Sequence, residues 1–235
     1  MKFVIIAPAR SGSTLLREML NRHREICCHG EVYGKHRVNG LSMHARVPLG
    51  PDEALKLRRR NPVRFLEEHI FDSGRPAMGF KLLYGQMLDF DFASVLQRLF
   101  EMRDLHVIHL WRRRLIARHV SEARLRLKAA SRQPGPAPEG FLSHALRPAV
   151  VERSCQLNLS ARTCANKLFD LQPTLHLAYE DFIADHAEQS RRLCEFLGVD
   201  RAGWPSLPEK KGESGDAEVD RLESIPALRP YIDCA

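Results

Sequence analysis

Residues 3–7 (Phe-Val-Ile-Ile-Ala) form a continuous apolar run of β-branched and aromatic character, the pattern of a strand buried on both faces. A short polar stretch follows, and then Leu15, Leu16, Met19 and Leu20 recur with helical period. The chain therefore opens as strand, tight turn, helix. Residues 29–51 carry Gly30, Gly34, Gly40, Pro48, Gly50 and Pro51 and read as loop. Asp52 is expected to cap a helix running through Arg60, and Asn61-Pro62 to end it and cap the next, at 62–71. Strands are predicted at 77–83, 105–111 and 174–178, and helices at 92–102, 115–130, 148–170 and 186–197, the last ended by Gly198. Residues 131–140 hold three prolines and two glycines, so 131–147 reads as a mobile loop, and the tail from 199 as irregular.

Strands alternating with helices imply a three-layer α/β fold: a P-loop-like parallel β-sheet flanked by helices. Such sheets bind ligands beyond the carboxyl ends of their strands. The chemistry is accordingly expected at residues 8–14, 29–34 and 112–121.

Composition narrows the class. The length of 235 residues suits a single domain spanning 1–235. With 44% hydrophobic and 28% charged residues, disordered, collagenous and coiled-coil classes are excluded. No apolar run approaches a membrane span, and the apolar strand begins too early for a signal peptide, so a cytoplasmic protein is expected. The net charge is +7, and only eight of the 36 basic residues are lysines. Arginine suits bidentate capture of phosphate or sulfate, although a GC-rich genome would leave the same bias. An anionic partner follows from the charge. The six cysteines form no CxxC pair and read as reduced, mainly buried thiols. His23, Cys27, Cys28, His29, His36 and His44 cluster in sequence, but their spacing fits no zinc pattern, and no metal is expected.

Residues 7–14 (Ala-Pro-Ala-Arg-Ser-Gly-Ser-Thr) fall on the phosphate-loop frame GxxxxGK[ST], with Gly12 and Thr14 in register. Ala7 stands where the first glycine would be, and Ser13 where the lysine would be. Such a turn aims backbone N–H groups and a helix N-terminus at an anion. Without the lysine that reaches β- and γ-phosphates, it reads as a cradle that handles no γ-phosphate. An ordinary βα turn with Ser and Thr caps has a similar composition. Further on, Ser121 lies eight residues after Arg113. Two helical turns rise about 12 Å, a distance an arginine can largely span, so both can meet one phosphate. Arg118, Arg124, Arg126 and Lys128 read instead as a solvated basic helix face.

These motifs together resemble a known family. Arg10-Ser11-Gly12-Ser13-Thr14 after an apolar strand looks like the 5′-phosphosulfate loop of sulfotransferases that use 3′-phosphoadenosine 5′-phosphosulfate (PAPS). Arg113 with Ser121 is similar to their 3′-phosphate motif, and Tyr179-Glu180-Asp181-Phe182 resembles the YED segment they often carry. His29-Gly30-Glu31 is closest to bacterial carbohydrate sulfotransferases of the trehalose and nodulation-factor type. The cytosolic eukaryotic branch differs, with a lysine where Arg10 stands and a later histidine base that has no counterpart here. Lys210 and Lys211 faintly resemble that branch's C-terminal nucleotide loop, as 3′-phosphate contacts.

The resemblance implies in-line transfer of a sulfuryl group from PAPS to an acceptor hydroxyl, of a carbohydrate or other small metabolite, releasing 3′-phosphoadenosine 5′-phosphate (PAP). Cofactor contacts then fall to Arg10, Ser11, Gly12, Ser13, Thr14, Leu15, Arg113, Ser121, Tyr179, Lys210 and Lys211. Arg10 stabilises charge on the leaving phosphate. Glu31 is the candidate general base, with His29 second, and Lys81 is a candidate on the acceptor side with Glu31. Tyr179 and Trp204 are candidate adenine contacts, whereas Trp111 is expected to pack. Two other readings stay open: a small-molecule kinase on the same fold, and a non-enzymatic binder of nucleic acid or an acidic partner through the basic helix face. The absence of interleaved aromatics argues against nucleic acid. Neither a membrane span nor a metal is expected, and a homodimer is left open.

Overall fold

A computed structural model describes residues 1–46, 48–132, 140–204 and 216–234. Five strands form one sheet: β1 (Lys2–Ala7), β2 (Ile26–His29), β3 (Ala77–Leu83), β4 (His106–Trp111) and β5 (Thr174–Ala178). Their order is β2-β3-β1-β4-β5, and every pairing is parallel. The helices are α1 (Ser13–Arg22), α2 (Pro51–Arg60), α3 (Pro62–Phe65), α4 (Ala93–Glu101), α5 (Leu115–Ala130), α6 (Phe141–Ala145), α7 (Pro148–Leu168), α8 (Tyr179–Ala184), α9 (His186–Leu197) and α10 (Asp216–Glu223). The fold is an α/β layered sheet flanked by helices.

Alternation along the strands feeds two apolar layers. Val4, Ile6, Phe80, Leu82 and Val107 face one core with Tyr33, Phe65 and Phe169. Phe3, Ile5, Ile108 and Leu110 face the other, with Leu16, Leu20, Phe182 and Leu193. A third cluster joins α5 and α7 to Val219, Leu222 and Leu228 of the C-terminal segment. That segment is helical at α10 and again at 226–231, so the expectation of an irregular tail is corrected there. Val219, Leu222 and Leu228 supply the apolar stripe that holds it down. Residues 140–147 of the expected loop likewise contain α6, while 133–139 lie outside the described residues.

Two differences from the sequence reading matter for the site. β2 was not expected, because Ile26-Cys27-Cys28-His29 is short and ends in polar residues; all four are buried between β3 and the following excursion. The α2 helix begins one residue before Asp52, at Pro51, with Gly50 as its cap. Asn61 does cap the next helix, accepting from the Arg64 N–H.

From β1 the chain crosses to β2 on one side, and from β4 it crosses to β5 on the other. Adjacent β1 and β4 thus send their connections in opposite directions, which opens a crevice at their carboxyl ends.

His109, on β4, is buried; its Nε2 lies 2.7 Å from the Tyr84 hydroxyl and its Nδ1 2.6 Å from Asn166 Oδ1. Burial pulls it from its ordinary 6.5 down to about 4. Between pH 6.5 and 4 the unfolded chain takes up a proton that the folded chain refuses. Stability is therefore expected to be full above pH 6.5 and to fall as the pH drops toward 4. Thermal melts across that range should show the fall, and a shallower one in His109→Gln.

Candidate functional site

A cleft of about 700 Å³ opens at this crevice. Its floor is the loop between β1 and α1. Ser11 is fully buried and its hydroxyl donates to the Pro8 carbonyl at 2.9 Å, tightening the turn rather than facing the cleft. Arg10 takes a left-handed conformation, φ 65°, unusual for a side-chain-bearing residue, and Gly12 a φ of 85°. A Cβ at Gly12 would stand 2.2 Å from Tyr179 Cδ2, so glycine is required both for its backbone and for the ring packed on it. Helix α1 starts immediately afterwards, and the first intrahelical bond runs from Leu16 N–H to the Gly12 carbonyl. The N–H groups of the first turn thus stand at the cleft end of the helix. Ser13, Thr14 and Leu15 line the cleft with Arg10 and Gly12.

The second wall is α5. Ala117, Val120, Ser121, Arg124, Leu125 and Lys128 recur on one helical face and all line the cleft. Ser121 accepts a hydrogen bond from Arg10 Nε at 3.0 Å, joining the two walls. Ser121 is therefore at the site, but its partner is Arg10 and not Arg113.

Among the three consecutive arginines it is Arg112 that lines the cleft. Its guanidinium lies over the Tyr179 ring at 5.2 Å. Arg113 turns away: its terminal nitrogens make a bidentate pair with Asp181 at 2.9 and 2.6 Å, and its Nε lies 3.2 Å from Asp233. The Asp181 pair holds the Arg113 guanidinium above its ordinary range. Glu180 accepts from the backbone N–H groups of Arg113 and Arg114, fixing the turn from β4 into α5. The Tyr-Glu-Asp segment at the start of α8 is thus a clamp on this turn, with only Tyr179 in the cleft. Arg113 and Ser121, expected to meet at one phosphate, thus have separate partners in this structure.

The basic face of α5 also divides. Arg126 is exposed, as expected, but Arg124 and Lys128 line the cleft. Arg118 is buried, donating to Glu122 at 2.6 Å, the Ala9 carbonyl at 3.2 Å and Ser154 at 3.2 Å. It braces the loop from behind.

Facing the loop across the cleft, Lys81 of β3 is buried and reaches Glu31 Oε1 at 2.9 Å and Thr14 Oγ1 at 3.3 Å. Glu31, just after β2, is half-buried. Its backbone carbonyl receives the Gly34 and Asn39 N–H groups, which pins the loop behind it. His29 sits elsewhere: it is fully buried, its Nδ1 accepts from the Ser42 N–H at 3.1 Å, and its Nε2 lies 3.5 Å from Cys27 Sγ. Burial, assisted by Arg17, pulls it down to about 4. It supports the excursion and does not line the cleft. Trp204 packs against His23 and His186, also away from the cleft. Trp111 packs between His109 and His176, with Arg162 over its ring at 4.4 Å. Lys210 and Lys211 lie outside the described residues.

Sequence reasoning missed Arg112 as the cleft-facing arginine, and Val219 of α10, which closes the α5 side. It also missed Gln86, which reaches Glu31. Arg10, Lys81, Arg112, Arg124 and Lys128 line the cleft with Glu31; Arg124 is paired with Glu218, and Arg112 Nε lies 3.7 Å from Glu180. Among the described residues, no three His, Cys, Asp or Glu side chains gather to hold a metal ion, and no helix is long and apolar enough to cross a membrane.

A parallel α/β sheet with a strand-to-helix turn at its crevice, cations on both walls and one carboxylate opposite forms a cleft suited to an anionic ligand. The model of the sulfotransferase family matches residues 3–204, and the chain belongs to that family. Its general chemistry is therefore sulfuryl transfer. The fold is similar to the crystal structure of a sulfotransferase from Alicyclobacillus acidocaldarius, with a TM-score of 0.53 and 19% identity over 94% of this chain and 93% of that one. The sulfotransferase domain of the Synechococcus PCC 7002 olefin synthase gives 0.46 and 18%, over 96% and 88%. Mouse sulfotransferase SULT7A1, complexed with PAP, gives 0.45 and 15%, over 100% and 70%. No curated protein matches the chain in sequence.

Proposed function

We propose that the protein transfers a sulfuryl group from PAPS to a hydroxyl of a small acceptor, a carbohydrate being the class its His29-Gly30-Glu31 segment resembles. The observation that carries this reading is the cleft itself: a helix N-terminus and five cations around one carboxylate. That donor set fits a nucleotide bearing several anionic groups. PAPS, when bound, supplies the sulfuryl group and leaves as PAP.

In this reading the first-turn N–H groups of α1, with Arg10, bear the charge that grows on the leaving 5′-phosphate. Arg112, with Arg124 and Lys128 further along α5, meets the 3′-phosphate, and Ser121 holds Arg10 in place. Glu31 accepts the proton of the acceptor hydroxyl, and Lys81 fixes its carboxylate against the loop. The lack of a Walker-type lysine at Ser13 argues against ATP as donor.

A thermal-shift titration with PAP beside ADP, each with and without Mg²⁺, tests the reading. A ligand at 100 times its Kd stabilises the fold by about 2.7 kcal/mol. The expected result is a metal-independent shift with PAP and little with ADP; a shift with ADP and Mg²⁺ alone would favour a kinase, and no shift a binding protein.

Titration calorimetry with PAP separates the arginines. Arg112→Ala should weaken binding by about tenfold or more, the loss of one charge-assisted contact. Arg113→Ala should leave affinity within about twofold and instead lower the thermal midpoint, because Asp181 loses its partner. Glu31→Gln, which removes a competitor for the Lys81 ammonium, should bind PAP at least as tightly as the wild type yet transfer about 100-fold more slowly, within the usual range for loss of a general base. Single-turnover transfer from labelled PAPS measures it.

A further inference from the structure

We propose that Gln86 is a positioning residue for Glu31, a role that rests on the reading of Glu31 as the proton acceptor. Gln86 closes the short helical turn 84–86 that follows β3. Its Oε1 accepts from the Leu83 N–H at 3.0 Å, at the end of the strand that carries Lys81. That bond settles which end of the amide faces which neighbour, because a backbone N–H needs an acceptor. The Nε2 end therefore points at Glu31, 3.5 Å from Oε2. Lys81 meets Oε1 at 2.9 Å. Each carboxylate oxygen thus has its own donor, one charged and short, the other neutral and long.

The division suits a base. A carboxylate held only by Lys81 would still turn about its side-chain bonds. A second donor beside the other oxygen favours one plane for the group, and at 3.5 Å, the long limit of a hydrogen bond, it leaves that oxygen open. Oε2 stays the oxygen on which a substrate proton can land. The turn that carries Gln86 is itself anchored, since the neighbouring Tyr84 hydroxyl bonds His109 in the core at 2.7 Å. Gln86 is not among the residues lining the cleft, so its effect on transfer runs through Glu31.

Gln86→Glu keeps the shape and the acceptor for the Leu83 N–H, but sets a second carboxylate against Glu31. Carbon-13 NMR titration of the full chain reads the consequence directly, the Glu31 carboxyl signal being assigned by its loss in Glu31→Gln. The titration midpoint of Glu31 is expected to rise by about one pH unit or more in Gln86→Glu, as a neighbouring like charge requires. In Gln86→Leu, which removes the donor, it should rise less. Thermal melts report the fold of both variants, and PAP affinity should equal that of the wild type in both. A Glu31 midpoint unchanged within a few tenths of a unit in Gln86→Glu overturns the proposal, as does a loss of PAP affinity equal to any change at Glu31. Wild-type transfer by Glu31→Gln would instead remove the base reading beneath it, a separate result.

Discussion

Replacing Gly12 by alanine should lower stability by about 3 kcal/mol or more and abolish PAP binding. Two costs combine. At φ 85° the added Cβ meets the following peptide, a left-handed penalty of about 1–2 kcal/mol. The same Cβ stands 2.2 Å from the Tyr179 ring, and forcing a methyl into a filled space costs about 1–3 kcal/mol more. For a chain of this size the thermal midpoint should fall by about 10 °C. Binding goes as well, because Gly12 precedes the first turn of α1, and a shift there misdirects the N–H groups. A double-mutant cycle with Tyr179→Ala separates the costs: the pair should be less destabilising than the sum of the singles, since the clash disappears while the backbone penalty remains. Additive losses would contradict the packing of Tyr179 on Gly12.

Arg10→Ala should cut sulfuryl transfer by about 100- to 1000-fold, the size of effect seen when one donor to developing charge is lost. The stability readout should move in a different way. Arg10 is exposed and holds a left-handed backbone, a strain that persists only where the surroundings impose it. Arg10→Gly relieves that strain while deleting the guanidinium, so its thermal midpoint should not fall although transfer is lost. Ser121→Ala, which frees Arg10 Nε without removing the charge, should lie between the wild type and Arg10→Ala. Transfer unaffected in Arg10→Gly would remove Arg10 from the chemistry.

Much of the layered sheet was legible because its central strands are apolar and its helices carry clear periodicity. Residues 77–83 and 174–178 were bounded correctly from sequence. β2 was not, since a four-residue strand ending in histidine carries no period to read. At the cleft, the turn bearing Arg10, Gly12 and Thr14 was legible because a glycine-bearing turn between strand and helix has a composition of its own, whereas Glu31, which also lines the cleft, was singled out by resemblance. The arginines were not. Three stand in a row between the end of β4 and the start of α5, and spacing to Ser121 cannot say which one faces the cleft. That choice is made by Asp181 and Glu180, nearly seventy residues away, which claim Arg113 and its backbone. Arg118 was misread for a related reason: its partners Ala9 and Ser154 come from two other segments, so its burial leaves no local trace. Gln86 gave no signal because a lone glutamine after a strand is ordinarily a surface residue.

Lys81 has one ammonium and two claimants, the Thr14 hydroxyl on the loop and the Glu31 carboxylate opposite. An anion arriving at the loop competes with Glu31 for that ammonium. The two halves of the cleft are therefore coupled through one ammonium. For a PAPS-dependent transferase, the expected steady-state pattern is ordered addition with the nucleotide first, PAP competing against PAPS and acceptor binding weakly to the empty protein.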